Sequence, residues 1–230
     1  MGAECQWLWP TPIGLHQYAD AESVNPLLVD AFAQGRAEQE RARGQSRGPF
    51  FASDDDLLDR VKLPEWQDFV RFVVDGLVAT ARGANKAEWA GQEFDLQVGI
   101  EGMWFQCSSE GAFHDVHTHG NCSWSGVYIV QIDPREQRIG HRVYGEANGA
   151  TRLYGPPFNA LGGAYIDIAN AYLMPPSQDI EPNPGQLLLF PSWLPHQAMP
   201  YEGELERVII SFNATIHARQ GDQLRGYSAT

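Results

Sequence analysis

The chain has 230 residues, 43% apolar and 20% charged, in the range of soluble globular proteins, and no stretch reaches the roughly 20 apolar residues of a membrane span. Its formal charge of -13, with only 16 lysines and arginines thinly spread, speaks against nucleic acid as a partner, because phosphate binding rests on clustered cations. A small molecule or peptide is the expected partner, and a cytoplasmic location is expected because the first residues lack a basic segment followed by a long apolar one.

In chain order, two helices are predicted first. The run from Asp20 to Gly44 is rich in alanine, glutamate and arginine in its second half and closes on a glycine suited to a helix C-terminus. A second helix begins at Pro64, a favoured first helical position, and places Trp66, Phe69, Val70, Val73 and Leu77 on one face. The connector between them carries SDDDLLD, read as a solvated loop with helix-start character; it lacks the glycine and terminal glutamate of a calcium loop. Cys5, Cys107 and Cys122 are too few and too irregularly spaced for a disulfide framework or zinc cluster, and read as small apolar residues.

From about residue 93 the pattern turns to short runs of branched and aromatic residues. FDLQVGIEGMWFQ, SWSGVYIVQI, RVYG, AYIDIANAYL, GQLLLF and RVIISFNATI all read as strands. Helices in front and strands behind predict an α+β fold, a sandwich or barrel with helices packed outside. Residues 1–230 read as one domain, with a mainly helical part to 92, a β core over 93–217 and a tail from 218.

The chemistry concentrates in FHDVHTHGN, which holds three of the seven histidines. His117 and His119, two apart, project from one face of an extended strand and can reach one ion; Asp115 shares their parity, and His114 has the opposite one. A histidine pair of this kind is as often a solvated surface pair, so a further ligand must converge on it. In PGQLLLFPSWLPHQAMP, His196 follows an apolar strand and a proline turn, and Arg207 opens another apolar strand eleven positions later. An arginine buried there needs an anion, and a carboxylate held bidentately fits it.

The series HTHGNCSWSGVYIV, PGQLLLFPSWLPHQAMP and RVIISFN resembles the double-stranded β-helix of iron(II)- and 2-oxoglutarate-dependent oxygenases. It is similar in particular to the group whose pattern runs HxH, SGVYY, PG, FPS, H and R; LWPTPIG and SRGPFFASDDDLL extend the likeness over most of the chain. The resemblance implies iron(II) on His117 and His196; His119 falls where most such enzymes carry Asp or Glu, and a His117, His119, His196 triad is favoured over a site that Asp115 or water completes. It implies 2-oxoglutarate held at Arg207 with Tyr128 and Ser211 as possible helpers, and Asp115 as a second layer or an alternative ligand. The implied activity is a dioxygenase reaction that consumes dioxygen, oxidises a substrate, and gives succinate and carbon dioxide. Gly111, Gly185, Pro191 and His196 also match cupin spacing. A three-histidine cupin-type dioxygenase without 2-oxoglutarate, or a non-catalytic metal- or ligand-binding barrel, is therefore the alternative, although the glutamate that a cupin carries shortly after HxH is missing.

Other residues carry blander expectations. Asn213 shares the parity of Arg207. Trp104 and Trp193 are read as lining or closing the core, and His16, His141 and His217 as solvated or core residues. Residues 133–184 are expected over the barrel mouth, with Arg138, Arg142, Arg152 and Tyr154 as candidate substrate contacts.

Overall fold

A computed structural model of the chain describes residues 10–155 and 175–218. Its elements are β1 (Gly14–Gln17), α1 (Ala21–Arg43), β2 (Phe50–Ala52), α2 (Leu57–Arg60), α3 (Trp66–Ala84), β3 (Leu96–Ser108), β4 (Ala112–His117), β5 (Trp124–Gln131), α4 (Arg135–Ile139), β6 (Thr151–Tyr154), β7 (Ser177–Ile180), β8 (Gln186–Pro191), β9 (His196–Tyr201) and β10 (Arg207–Ala218).

The strands form two antiparallel sheets, a larger one in the order β1-β8-β5-β10-β3-β2 and a smaller one in the order β4-β9-β6-β7. Alternation along the strands of the larger sheet sends side chains to two different cores. One parity of β5 (Trp124, Tyr128, Val130) joins Leu28, Phe32, Phe69, Val73 and Leu77 of α1 and α3 in a cluster beneath the helices. The other parity (Val127, Ile129) meets Leu153 and Tyr201 of the smaller sheet in a second cluster between the sheets. This is a helix-backed jelly roll, the α+β arrangement expected.

The helices form for the reasons visible in their sequences. Gly44 ends α1 at φ 65°, with its N–H on the Arg41 carbonyl and that of Gln45 on the Glu40 carbonyl, a left-handed cap that costs glycine nothing. On α3, Trp66, Phe69, Val73 and Leu77 are buried and Val70 packs against them; each such side chain contributes about 1.5–3 kcal/mol by leaving water. The helix begins at Trp66, two residues after Pro64, because Pro64 and Glu65 form the preceding turn. Asn25 couples α1 to the larger sheet: its amide donates to the Val130 carbonyl at 2.8 Å and its carbonyl accepts the Tyr128 hydroxyl at 2.7 Å.

One expectation about strands needs correction. RVYG at 142–145 is turn and short 3-10 helix, because Gly145 adopts φ 51° and closes the run. The short strands β1, β2, β6 and β7 are too brief to show a period of their own and exist by pairing. The expected strand AYIDIANAYL, Cys5 and the tail beyond 218 lie outside the described residues.

Candidate metal centre and pocket

Strand β4 leads to the site and β9 begins in it. Their pairing sets His117 against His196, and His114 against Ala198, so three steps on β4 match two on β9. This extra residue is a β-bulge, and it brings His114 to the same side as His117. The two rings lie 4.1 Å apart and both line one pocket. Strand parity alone had turned His114 away; the bulge overrides it. His119 follows in the loop, anchored by its backbone N–H on the Ser192 carbonyl at 2.9 Å.

His117, His119 and His196 bring one ring nitrogen each to within 4.8 Å of one another, a set suited to a single metal ion. His117 Nδ1 donates to the Asp115 carbonyl at 2.6 Å, and His196 Nδ1 to the Leu194 carbonyl at 2.9 Å. Both bonds fix the tautomer that leaves Nε2 free. Burial pushes His119 and His196 down to about 4, with neighbouring imidazoles adding to the shift and the Leu194 carbonyl opposing it at His196. Both rings are therefore neutral at pH 7, the form that binds a metal.

The pocket is lined by the four histidines, Trp104, Gln106, Ser125, Thr151, Phe190, Arg207 and Ser211, among others. Arg207 is 3% exposed; its Nε donates to the Gly149 carbonyl at 3.1 Å, and its buried Nη2 has no partner. Among the described residues no carboxylate pairs with it, and desolvation lowers its pKa to about 10. A guanidinium left short of an acceptor in a closed pocket is fitted to receive an anion.

The other candidates separate by location. Ser211 lines the pocket. Tyr128 does not reach it: its parity on β5 points it beneath the helices, where its hydroxyl meets Asn25. The Asp115 carboxylate is exposed and accepts from the Val116 N–H at 2.7 Å, so this residue serves His117 through its carbonyl and not through its side chain. Asn213 accepts the Ser125 hydroxyl. Trp104 lines the pocket, whereas Trp193 is 59% exposed and closes nothing. Arg138 is buried and bonded to the carbonyls of Asp133 and Asn148 and to Glu181, Arg152 pairs with Asp179, and the Tyr154 hydroxyl donates to Gln197; these bonds tie them to the scaffold. Gln106 and Thr151 went unnoticed in the sequence because neither stands in a motif. Their only signal is strand parity, shared with Arg207 across β10 for Gln106 and known for Thr151 only once β6 is paired.

Residues 102–213 match the model of a family described as "Putative 2OG-Fe(II) oxygenase". Over the whole fold the chain is similar to a Pseudomonas putida prolyl-4-hydroxylase (15% identity, 91% of this chain and 94% of that one, TM-score 0.50). It is likewise similar to a Trichoplax adhaerens prolyl hydroxylase solved with a hypoxia inducible factor peptide fragment (14%, 89% and 84%, TM-score 0.51). A third similar structure is AviO1 of Streptomyces viridochromogenes (13%, 92% and 92%, TM-score 0.51). No curated protein matches the chain.

Proposed function

The chain belongs to the iron(II)- and 2-oxoglutarate-dependent oxygenases, enzymes on a double-stranded β-helix, and from that premise we propose the roles of its residues and the class of its substrate. His117, His119 and His196 hold iron(II), and Arg207, with Ser211 beside it, receives the distal carboxylate of 2-oxoglutarate. The observation that carries this reading is Arg207, buried without an anionic partner among the described residues in the pocket whose wall carries the three imidazoles. The bound iron and cosubstrate supply the activation of dioxygen and yield succinate and carbon dioxide as a substrate is hydroxylated or otherwise oxidised.

The chain's own contribution is binding, orientation and exclusion of water. The carbonyls of Asp115 and Leu194 hold the His117 and His196 rings with Nε2 turned to the ion. Phe190, its ring centroid 4.5 Å from that of His196, gives the site a dry wall. With three imidazoles and no carboxylate in the proposed ligand set, a bound divalent ion would have its charge offset by the dianionic cosubstrate, so this site should discriminate strongly for dianions. The substrate is a small molecule or a peptide. The Trichoplax enzyme, solved with a peptide, makes the second plausible on fold likeness alone. No helix of the described residues is long and apolar enough to cross a membrane. The free thiols of Cys107 and Cys122 suit a reducing compartment such as the cytoplasm, and the chain works as one domain.

Anaerobic protein loaded with iron(II) and titrated with 2-oxoglutarate is expected to develop the weak visible charge-transfer band of a chelated keto acid, and Arg207→Ala to weaken binding at least roughly tenfold, as for a lost charge-assisted bond. Iron binding without the band would favour a three-histidine dioxygenase that does not use 2-oxoglutarate. Absence of iron binding would leave a non-catalytic barrel.

A further inference from the structure

Strands β3, of 13 residues, and β10, of 12, outrun the 6-residue β4 and β9 of the smaller sheet. A short turn joins β3 to β4, so residues earlier on β3 stand level with residues later on β4. Trp104 thus comes level with the histidines, its ring 6.3 Å from that of His119, and the part of β3 before it extends past the metal end of the pocket. It stays paired with β10 there and forms a ledge. Ile100, Met103 and Ala214 of this ribbon join the cluster beneath the helices, so Gly102 and Trp104 face the pocket side.

Two carboxylates stand on that side of the ledge. Gly102 pairs with Asn213 and Ile100 with Ala214, leaving Glu101 as an extra residue, a bulge of the kind that re-aims a side chain beside an active site. Glu101 Oε1 accepts the Thr215 hydroxyl at 2.6 Å, and a Cβ built on Gly99 would lie 3.4 Å from the same oxygen, so these three share one face. The second carboxylate belongs to Asp55. Its backbone carbonyl accepts the Met103 N–H, which leads the chain after β2 along the same edge of β3. Its carboxylate lies over Gly102, where a Cβ would stand 3.2 Å from Oδ2.

The neighbours of Asp55 are neutralised: Asp54 pairs with Arg43 and Asp56 with Arg60. Among the described residues no ion pair involves Asp55 or Glu101. The carboxylate of the acidic run that turns to the pocket side is therefore the one without a cation. Trp104 is one same-face step from Gly102, half-buried between the carboxylates and the histidines. An aromatic face beside two open carboxylates suits an ammonium or guanidinium, which the first attracts through its ring and the second through charge-assisted hydrogen bonds.

We propose that this ledge is the recognition site for a cationic group of the substrate, with Asp55 and Glu101 as its specificity-determining residues and Trp104 between them and the metal. This rests on the reading that the pocket holds iron(II) and 2-oxoglutarate, the cation staying outside the metal end while the rest of the substrate reaches inward.

Anaerobic protein loaded with iron(II) and 2-oxoglutarate is titrated by calorimetry with capped tripeptides carrying lysine, arginine, leucine or glutamate between two glycines, and with agmatine as a free amine. Wild type is expected to bind a cationic probe at least roughly tenfold more tightly than the leucine and glutamate peptides, and to lose that advantage as salt is raised. The double variant Asp55→Asn, Glu101→Gln is expected to lose both the preference and its salt dependence while keeping its iron content and its charge-transfer band. Preference for the arginine peptide over agmatine supports the ledge with a peptide as the source of the cation, and the reverse order supports it with a small amine. A wild type that binds no cationic probe more tightly than the leucine peptide overturns the ledge, as does a double variant that keeps the preference. A wild type without the charge-transfer band, read before any probe is added, removes the functional reading instead.

Discussion

At His117 and His196 a single backbone carbonyl decides which ring nitrogen is free, and both choices leave Nε2 toward the pocket. Among the described residues His114 has no such bond, and it is not one of the three whose nitrogens converge. The expected outcome is therefore asymmetric: His196→Ala weakens iron(II) binding by at least about tenfold, whereas His114→Ala keeps the metal, as iron content after gel filtration checks. Retention of iron by His196→Ala, or its loss from His114→Ala, would reassign the ligands. The convergence of His117, His119 and His196 and the burial of Arg207 beside them were legible because each rests on a rare residue type at a set distance. The placement of His114 was not, because a bulge changes which residues share a face without leaving a mark in composition. Tyr128 misled for the opposite reason: its polar hydroxyl satisfies a buried contact with Asn25, a need of packing and not of catalysis.

Among the elements, β5 is the partition between the two cores. A Cβ built on Gly126 would lie 2.2 Å from the Phe212 ring on β10. Gly126→Ala is expected to destabilise the fold by about 1–3 kcal/mol through overpacking, seen as a lower urea midpoint with an unchanged slope. A midpoint equal to wild type would show that Phe212 moves aside at little cost. Helix α3 and strands β5, β8 and β10 could be read from periodicity because each buries a full face or both. The edge strands β1 and β2 could not, since 4 and 3 residues are too short for any period and their pairing comes from chain ends brought together by the fold.

Across the whole molecule, both cores hold acids that burial keeps protonated. Beneath the helices, Cys107 is pushed up to about 12 by desolvation and the nearby Glu206; between the sheets, Tyr201 is pushed up to about 12 by desolvation. In each case the unfolded chain loses its proton first, at the ordinary 9.0 or 10.0. The stability these groups contribute is complete below about pH 9 and is lost progressively as pH rises toward 12. Urea midpoints at pH 8 and pH 10.5 should therefore fall together by fluorescence and circular dichroism, and a midpoint unchanged over that interval would contradict the burial of both groups.

The helices lie against one sheet only. Helices α1, α2 and α3 all contact strands of the larger sheet, and among the described residues no long helix backs β4, β9, β6 and β7. Among the described residues, the wall that carries His114, His117 and His196 is thus the wall without a buttress, and β4 is one of its two edge strands. In terms of amide hydrogen exchange, the smaller sheet opens at lower free energy than the larger one. A ligand that bridges the imidazoles of the first to Arg207 of the second would slow that exchange by tying the loose wall to the firm one.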